Sequence, residues 1–287
     1  MKLQGAMEYL NSYIWAILII AVVLIVMIQL NIFNPNFWAP KQQPGSCSII
    51  RIQLGGASLH CTGNSLIPEF VAQTNGNGII TGPAAIPQLS SSQGETIFMW
   101  TNLEYSGYAG GGYLFLAGTG QNNGNVGFHF YETAQSTYIN TFLQTSVTSY
   151  YCGMGNIPLN GWSSLAATYN GIAIAVYVNG QQTGTCAATG TIAANSYPFT
   201  VGGTLYGSLE NYYGMLSNVQ FYNTSLTSSQ INTLYLSGLG GSPIQLRNLV
   251  LWWPLNGDTN DYSGLGNSGK ATNIQFTDNW YSNYVRP

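Results

Sequence analysis

Carboxylates are the side chains best suited to chemistry in this sequence, and they are scarce. The 287 residues include 9 Asp and Glu, 6 Lys and Arg, and 2 His. Glycoside hydrolysis needs an acid and a nucleophile or base, about 5–10 Å apart. Downstream of the first forty residues the glutamates are isolated in sequence, at Glu69, Glu95, Glu104, Glu132 and Glu210. An active site would therefore need two acids that are remote in sequence, and we predict that the protein is not an enzyme and has no catalytic residue.

Asp258 and Asp261 are close together, in a turn-rich stretch that also contains Asn256 and Asn260. Calcium takes about 6–8 oxygen ligands, which Asp, Asn and backbone carbonyls can supply. The same residues are common in plain turns, because they tolerate left-handed backbone and bond to their own backbone. Two interpretations stay open, a calcium site and a turn, and no other cofactor is predicted.

Four cysteines are present without a Cys-x-x-Cys pair, which disfavours a zinc site. Cys47 and Cys61 flank SIIRIQLGGASLH, an alternating apolar run broken by two glycines, which predicts a β-hairpin that a disulfide could close. Cys152 and Cys186 would then pair by elimination, although four cysteines allow three connectivities. Four buried thiols are the alternative. Two disulfides would place the protein outside the cytoplasm.

The chain is poor in charged residues, but its composition is that of a folded protein. Charged residues make up 5% of the chain, against about 25% in ordinary globular proteins. The hydrophobic share of 45% is enough for a core. A net charge of -3 offers no basic surface for phosphates, so nucleic acid is not an expected partner. From Cys47 on, short β-branched and aromatic runs alternate with turn residues, which predicts an all-β antiparallel sandwich.

The first forty residues differ in kind from the rest. The run IWAILIIAVVLIVMI, from Ile14 to Ile28, is apolar without a break. With its apolar flanks it approaches the roughly 20 residues that a membrane helix needs. We therefore expect a long apolar helix that is inserted in the cell membrane, followed by a Pro-rich linker.

The segment MKLQGAMEYLNSYIWAILIIAVVL resembles the class III signal sequences of archaeal type IV pilin-like proteins. In that family a basic leader is removed in front of an apolar helix, which stays on the mature protein and packs into a filament core. Gln4 and Glu8 match the first and fifth mature positions, whereas Leu3 stands where the family has Gly or Ala. Cleavage after Gly5 is the alternative. The resemblance implies that the processing and assembly residues are Leu3, Gln4, Gly5, Ala6 and Glu8.

Two later segments, NGWSSLAATYNGIAIAVYVNGQQTGT and YYGMLSNVQFYNTSLTSSQINTLYLSG, resemble the strands and short helix of a laminin-G or concanavalin-like jelly roll. The resemblance covers about Leu66 to Gly238, and such domains often hold calcium at a rim. Thr227 and Gln230 form a capping-box pattern that independently predicts the short C-terminal helix. The triplet NTS at Asn223 is the single N-glycosylation sequon.

The stretch LVLWWPLNGDTNDYSGLGNSG, from Leu249 to Gly269, resembles the opening strand of a laminin-G-like domain, although it lies late in the chain. The first and last strands of a jelly roll are neighbours, so we expect Leu249 to Leu255 to be a displaced strand that completes its own sandwich. Donation to a neighbouring subunit and a truncated second domain are the alternatives. The predicted divisions are the leader and helix at 1–34, the linker at 35–46, a disulfide-closed hairpin at 47–65, the jelly roll at 66–240 and the completing segment at 241–287.

Two functions are compatible with these features. The main hypothesis is a structural subunit of an archaeal cell-surface filament resembling a type IV pilus. It self-assembles through its helix and exposes its sandwich for adhesion or surface coating. The alternative is a monomeric, membrane-anchored, lectin-like protein, since Tyr and Asn side chains suit binding of surface glycans. Both hypotheses place the protein outside the cell, at its surface, with insertion in the cell membrane before assembly in the filament case.

Overall fold

The computed structural model describes the backbone of residues 2–29, 41–42, 46–52, 55–62, 67–83, 86, 94–104, 114–119, 128–132, 136–192, 198–205 and 212–287. Side chains are described over the same ranges, except at 2–12, 41–42, 114–119, 132 and 282. The chain divides into two compact units, Met1–Ala39 and Pro40–Pro287.

The first unit contains helix α1, Lys2–Gln29, whose described side chains begin at Tyr13 and are largely exposed. Among the residues that the structure describes, no helix is long and apolar enough to cross a membrane. The predicted fold class, with its long apolar helix, was therefore wrong. Gln4, Glu8 and Asn11 place polar or charged residues in the first three turns of α1, so only the later part of the helix is apolar throughout. The other part of that prediction, an antiparallel β-sandwich, makes up most of the structure.

The second unit consists mostly of short strands. The described strands are β1 Lys41–Gln42, β2 Cys47–Ile52, β3 Gly56–Cys61, β4 Ile67–Pro68, β5 Val71–Asn75, β6 Ile79–Thr81, β7 Glu95–Leu103, β8 Leu114–Thr119, β9 Phe128–Glu132, β10 Tyr138–Gln144, β11 Ser149–Asn156, β12 Trp162–Tyr169, β13 Ala173–Val178, β14 Gln181–Ala187, β15 Phe199–Val201, β16 Tyr213–Tyr222, β17 Leu249–Trp253, β18 Lys270–Thr272 and β19 Gln275–Thr277. Helix α2 covers Ser228–Leu236, and a 3-10 turn covers Tyr281–Asn283.

Two antiparallel sheets enclose one core. The smaller sheet has the strand order β11-β10-β9-β8-β15-β6-β18, and the larger has the order β14-β13-β12-β7-β16-β5-β19, with β17 also paired to β16. Aromatic rings pack edge to face between the sheets, where the centroid of Phe199 lies 5.5 Å from Phe221 and 5.6 Å from Trp253. Removal of such large apolar side chains from water is the main stabilising contribution to the sandwich.

Helix α2 covers part of the outer face of the larger sheet. The predicted capping box fixes its start, since Gln230 N donates to Thr227 Oγ1 at 3.3 Å and Thr227 N donates to Gln230 Oε1 at 2.9 Å. Tyr235 of α2 stacks on Trp100 of β7, with 5.7 Å between the ring centroids. Both faces of β7 are covered, and every residue of that strand is buried.

Strand β17 pairs within the same chain, beside the closing strand of the sandwich. One edge of β16 pairs with β5 over residues 213–216 and with β17 over residues 219–222, so the two strands lie end to end. Asn218, with a φ of 50°, lies between the two pairings. Strands β18 and β19 then pair with β6 and β5. The carboxyl-terminal segment therefore contributes strands to both sheets.

Both predicted disulfides are present, one within a hairpin and the other between the two sheets. Cys47–Cys61 closes the hairpin of β2 and β3, with its Cα atoms 4.0 Å apart. Cys152–Cys186, with a Cα separation of 5.7 Å, joins β11 to β14. These two strands are the edges of different sheets, so this bond clamps the sandwich together along one side.

Candidate functional site

A polar cleft opens at the end of the larger sheet, where β7 stops and β16 begins. Its volume is about 160 Å³. The described residues that line it are Gln73, Thr74, Asn75, Glu104, Tyr213, Asn273 and Gln275. These residues are polar or aromatic and come from parts of the chain that are remote in sequence. We call this feature the polar cleft.

Strand register explains why these side chains meet. Successive residues of a strand point to opposite faces of a sheet. Ala72 of β5 belongs to the core, so Gln73 and Asn75 face outward. Gln73 is paired with Gln275 of β19, and Asn75 is paired with Tyr213 of β16. One outward face of three neighbouring strands therefore supplies most of the cleft.

Glu104 follows β7 and supplies the carboxylate of the described cleft residues. Its backbone N–H donates to the carbonyl of Tyr213 at 3.2 Å. The Nε2 atom of Gln73 lies 3.4 Å from each of the two carboxylate oxygens. A carboxylate offers about four lone-pair sites, so these long hydrogen bonds orient Glu104 and leave acceptor capacity for a ligand. The side chain is half-buried.

The turn between β18 and β19 forms one rim of the cleft. Asn273 adopts a φ of 53°, which Asn tolerates better than most residues, and its Nδ2 donates to the carbonyl of Asn77 at 3.2 Å. On the facing turn, Gly78 N donates to Thr74 Oγ1 at 2.9 Å. A Cβ on Gly78 would lie 2.7 Å from the carbonyl oxygen of Asn273, so the close approach of the two turns requires glycine there.

The side chains of the cleft suit a ligand rich in hydroxyl groups. Amides supply both donors and acceptors, the carboxylate supplies acceptors, and the phenol supplies either. Tyr213 is 37% exposed, so part of its ring is accessible, and an aromatic ring adds an apolar surface beside the polar groups. Pockets for drug-sized ligands measure about 300–1,000 Å³, so this smaller cleft suits a single small ring.

A second carboxyl, Glu95, begins the strand that Glu104 follows. At a rise of about 3.3 Å per residue the two lie about 30 Å apart, whereas the carboxyls of a glycosidase lie about 5–9.5 Å apart. Burial in the core raises the pKa of Glu95 well above its ordinary value. These two acids therefore do not form a hydrolytic pair.

Asp261, one of the residues predicted for calcium, is surrounded by protein donors. Its Oδ1 accepts from the backbone N–H of Trp252 and of Ser263, at 3.0 and 2.9 Å. Its Oδ2 accepts from the Ser263 hydroxyl and from the backbone N–H of Asn267, both at 2.8 Å. Because these donors already point at both oxygens, Asp261 holds the loop after β17 in place and does not fit a cation.

Asp258 and Asn256, which belong to the same prediction, also accept hydrogen bonds from the protein. Asp258 accepts from Asn260 N and Nδ2, at 3.1 and 2.9 Å, and from the Tyr262 hydroxyl at 2.7 Å. Burial and then the bond to Asp258 raise the pKa of Tyr262 to about 12. Asn256 Oδ1 accepts from Phe70 N at 2.8 Å. Within the described ranges no group of three or more His, Cys, Asp or Glu could hold a metal, and calcium stays a prediction without a fitting site.

The remaining predicted sites lie away from the cleft. Asn223 of the sequon is half-buried in the turn before α2, and its Oδ1 accepts from Asn248 Nδ2 at 3.2 Å. Its glycosylation stays a prediction. The processing and assembly residues lie in α1 with their side chains outside the description, so cleavage and filament assembly also stay predictions. These residues are Leu3, Gln4, Gly5, Ala6 and Glu8.

Sequence reasoning missed the residues of the polar cleft. The alternation in VAQTN shows that Gln73 and Asn75 share one face of a strand, and this signal could have been used. It does not show that Gln275 lies next to them, because that contact depends on the return of the carboxyl-terminal segment.

Comparison with known proteins agrees with the sandwich. The profile of Laminin_G_3, described as the concanavalin A-like lectin/glucanases superfamily, matches residues 74–232, which is more than half of the chain. A candidate carbohydrate binding protein from Bacteroides ovatus has a TM-score of 0.58 at 16% identity, over 77% of this chain and 63% of that one. A native heptameric SAP-like pentraxin from Limulus polyphemus has a TM-score of 0.52 at 16% identity, over 75% and 96%.

These similarities concern the fold. The chain spans 63% of the length of the Bacteroides protein, and identities of this size show a shared fold and no more. None of the curated proteins matches this chain. The matched residues begin within β5 and end within α2, so they do not include β17, β18 and β19.

Proposed function

The chain belongs to the concanavalin A-like lectin/glucanases superfamily, and from that premise we propose that it is an extracellular protein that binds glycans in the polar cleft. The observation that carries the proposal is the placement of Tyr213 beside the amides of Gln73, Asn75 and Gln275. A sugar ring has hydroxyls around its edge and apolar C–H groups on its faces. The amides can bond the hydroxyls, while the ring of Tyr213 can cover a C–H face.

Binding is favoured over hydrolysis by the number of acids in the cleft. Glycosidases use two carboxyls, and the described residues of the cleft include one, Glu104. One acid can accept hydrogen bonds from a sugar but cannot serve as both the acid and the base of an inverting or retaining mechanism. The described residues of the cleft therefore suit recognition.

Two further observations support an extracellular binding role. The Cys47–Cys61 and Cys152–Cys186 disulfides form in oxidising compartments. The Bacteroides ovatus protein, which shares the fold, is a candidate carbohydrate binding protein. That similarity supports a glycan as the ligand class and leaves the particular sugar open.

A glycan array probed with the full chain tests the proposal, followed by calorimetry with the best ligand. We expect Tyr213→Ala to weaken binding about tenfold and Asn75→Ala about fivefold, because they remove contacts of about 1.4 and about 1 kcal/mol. Tyr151→Ala is the matched control, since Tyr151 is 56% exposed but lies on β11 of the other sheet. If Tyr213→Ala binds like the wild type, the sugar site is not the polar cleft.

A further inference from the structure

We propose that the polar cleft selects sugars by charge, binding hexoses that carry a free amine most tightly, neutral hexoses less tightly, and acidic sugars least. This inference rests on the proposed glycan-binding function and specifies the ligand class of the same site. It follows from the surroundings of Glu104.

The carboxylate of Glu104 is poorly compensated within the described residues. Its side-chain hydrogen bonds run to a single nitrogen, Gln73 Nε2, and both measure 3.4 Å. Hydrogen bonds from N–H to oxygen usually measure about 2.7–3.2 Å between the heavy atoms, so these two are long. The donor is also a neutral amide, whereas charged donors form shorter and stronger bonds with carboxylates. Within the described part of the chain, the carboxylate thus has no cationic partner of the kind that would stabilise it best.

The sequence contains few cations that could fill this role. Its Lys and Arg residues are Lys2, Lys41, Arg51, Arg247, Lys270 and Arg286. None of them is among the lining residues. The segments that follow Glu104 and precede Tyr212, at 105–113 and 206–211, contain no Lys or Arg in their sequence.

Two of these cations, Arg51 and Lys270, are placed for other tasks. Arg51 donates from Nε to the carbonyl of Ser263 at 2.8 Å and from NH2 to the carbonyl of Leu246 at 3.2 Å, so it anchors the β2–β3 hairpin. Lys270 begins β18 and is exposed, at the end of that strand away from Asn273. A ligand ammonium group would therefore meet Glu104 without a competing cation among the described lining residues.

The charge of the sugar then sets the order in which amino, neutral and acidic sugars bind. An ammonium group on a hexose can form a charged hydrogen bond with Glu104. A carboxylate or sulfate on the sugar would put a second negative charge into the same small cleft, where the described lining residues include no cation. Neutral sugars keep the amide and Tyr213 contacts and lie between these extremes. The effect weakens with added salt, because the cleft is open to solvent.

The test measures binding of three probes to the full chain by calorimetry, at low ionic strength and at a mildly acidic pH that keeps the sugar amine protonated. The probes are chitosan oligosaccharides with free amines, chitin oligosaccharides of the same length, and oligogalacturonate. We expect chitosan to bind about tenfold more tightly than chitin, and oligogalacturonate to bind about tenfold more weakly than chitin. Equal affinities for the three would overturn the charge selection.

Variants link the selection to Glu104. In Glu104→Gln we expect the affinities for chitosan and chitin to become equal, because the charged hydrogen bond to the ligand amine is lost. Asp278→Asn is the matched control, because it removes one exposed negative charge outside the cleft, and it should keep the wild-type order. Gln73→Lys supplies a cation beside Glu104 and should lower the chitosan preference without removing the acid. Retention of the full preference in Glu104→Gln would overturn the inference, whereas a lack of binding to every glycan would overturn the proposed function itself.

Discussion

The indole N–H of Trp252 donates a hydrogen bond to the side-chain oxygen of Asn218, with 3.0 Å between Nε1 and Oδ1. The same oxygen accepts from Gln220 Nε2 at 2.9 Å, and Asn218 Nδ2 donates to the carbonyl of Gly241 at 2.9 Å. One buried amide therefore ties together β17, β16 and the chain that follows α2. It does so at the point where β16 changes partners along its edge.

Replacement of Asn218 tests this role. Asn218→Ala leaves the indole N–H of Trp252, the amide of Gln220 and the carbonyl of Gly241 without their partner. It also places alanine at a φ of 50°, a left-handed conformation that alanine adopts less readily than asparagine. We expect a loss of about 3–5 kcal/mol in the free energy of unfolding. Asn218→Gly loses the same bonds but tolerates the backbone, and it should be about 1 kcal/mol more stable than Asn218→Ala. Urea unfolding measures both. A loss below about 1 kcal/mol in Asn218→Ala would show that the network does not hold β17.

Glu95 should make the protein less stable as the pH rises. Burial raises its folded-state pKa well above the ordinary value, while in the unfolded chain it titrates near about 4.3. Below the unfolded pKa both states carry the proton and its stabilising contribution is complete. Above it the unfolded state loses the proton first, so the free energy of unfolding falls by up to about 1.4 kcal/mol per pH unit until the folded pKa is passed.

Glu95→Gln removes this titration. We expect the variant to match the wild type at about pH 4 and to exceed it in stability at about pH 8, with the difference growing steadily between. Denaturant unfolding at a series of pH values measures the change, and Asp278→Asn, at an exposed acid, serves as the control. If the free energies of unfolding of Glu95→Gln and the wild type differ by the same amount at every pH, the pKa of Glu95 is not raised in the folded protein.

The disulfide between the sheets should contribute more to global stability than the one in the hairpin. Cys152 and Cys186 are separated by 34 residues and Cys47 and Cys61 by 14, which corresponds to about 4 and about 3 kcal/mol of loop-closure entropy. The hairpin is also held by its own strand pairing and by Arg51. The double variants to serine, compared by thermal unfolding, should therefore differ, with Cys152→Ser/Cys186→Ser the less stable. The reverse order would mean that the hairpin disulfide is the principal clamp.

Calcium should not stabilise the loop after β17. Because protein donors already occupy both carboxylate oxygens of Asp261, we expect the same Tm with added calcium and with a chelator. Asp261→Ala should cost about 3 kcal/mol, since it leaves several donors unpaired in the loop. A rise in Tm with calcium that disappears in Asp261→Asn would show that the loop rearranges to hold the ion.

Local sequence signals predicted the elements that depend on local contacts. The capping box of Thr227 and Gln230 lies within one helical turn, and the strand at Leu249 is a compact apolar run. The prediction for the amino-terminal helix was wrong, because it counted the apolar residues that flank the run from Ile14 as part of a membrane span. The cleft was missed because Gln73, Glu104 and Gln275 meet only through the pairing of strands that are far apart in sequence.

The shared edge of β16 also sets the order in which the domain can be completed. Residues 219–222 have their partner strand at Leu249–Trp253, and ribosomes add residues from the amino terminus onward. Until residue 253 has been made, that edge stays open, and the core between the sheets lacks the rings that β17 supplies. The sandwich can therefore be completed only after most of the chain has been synthesised.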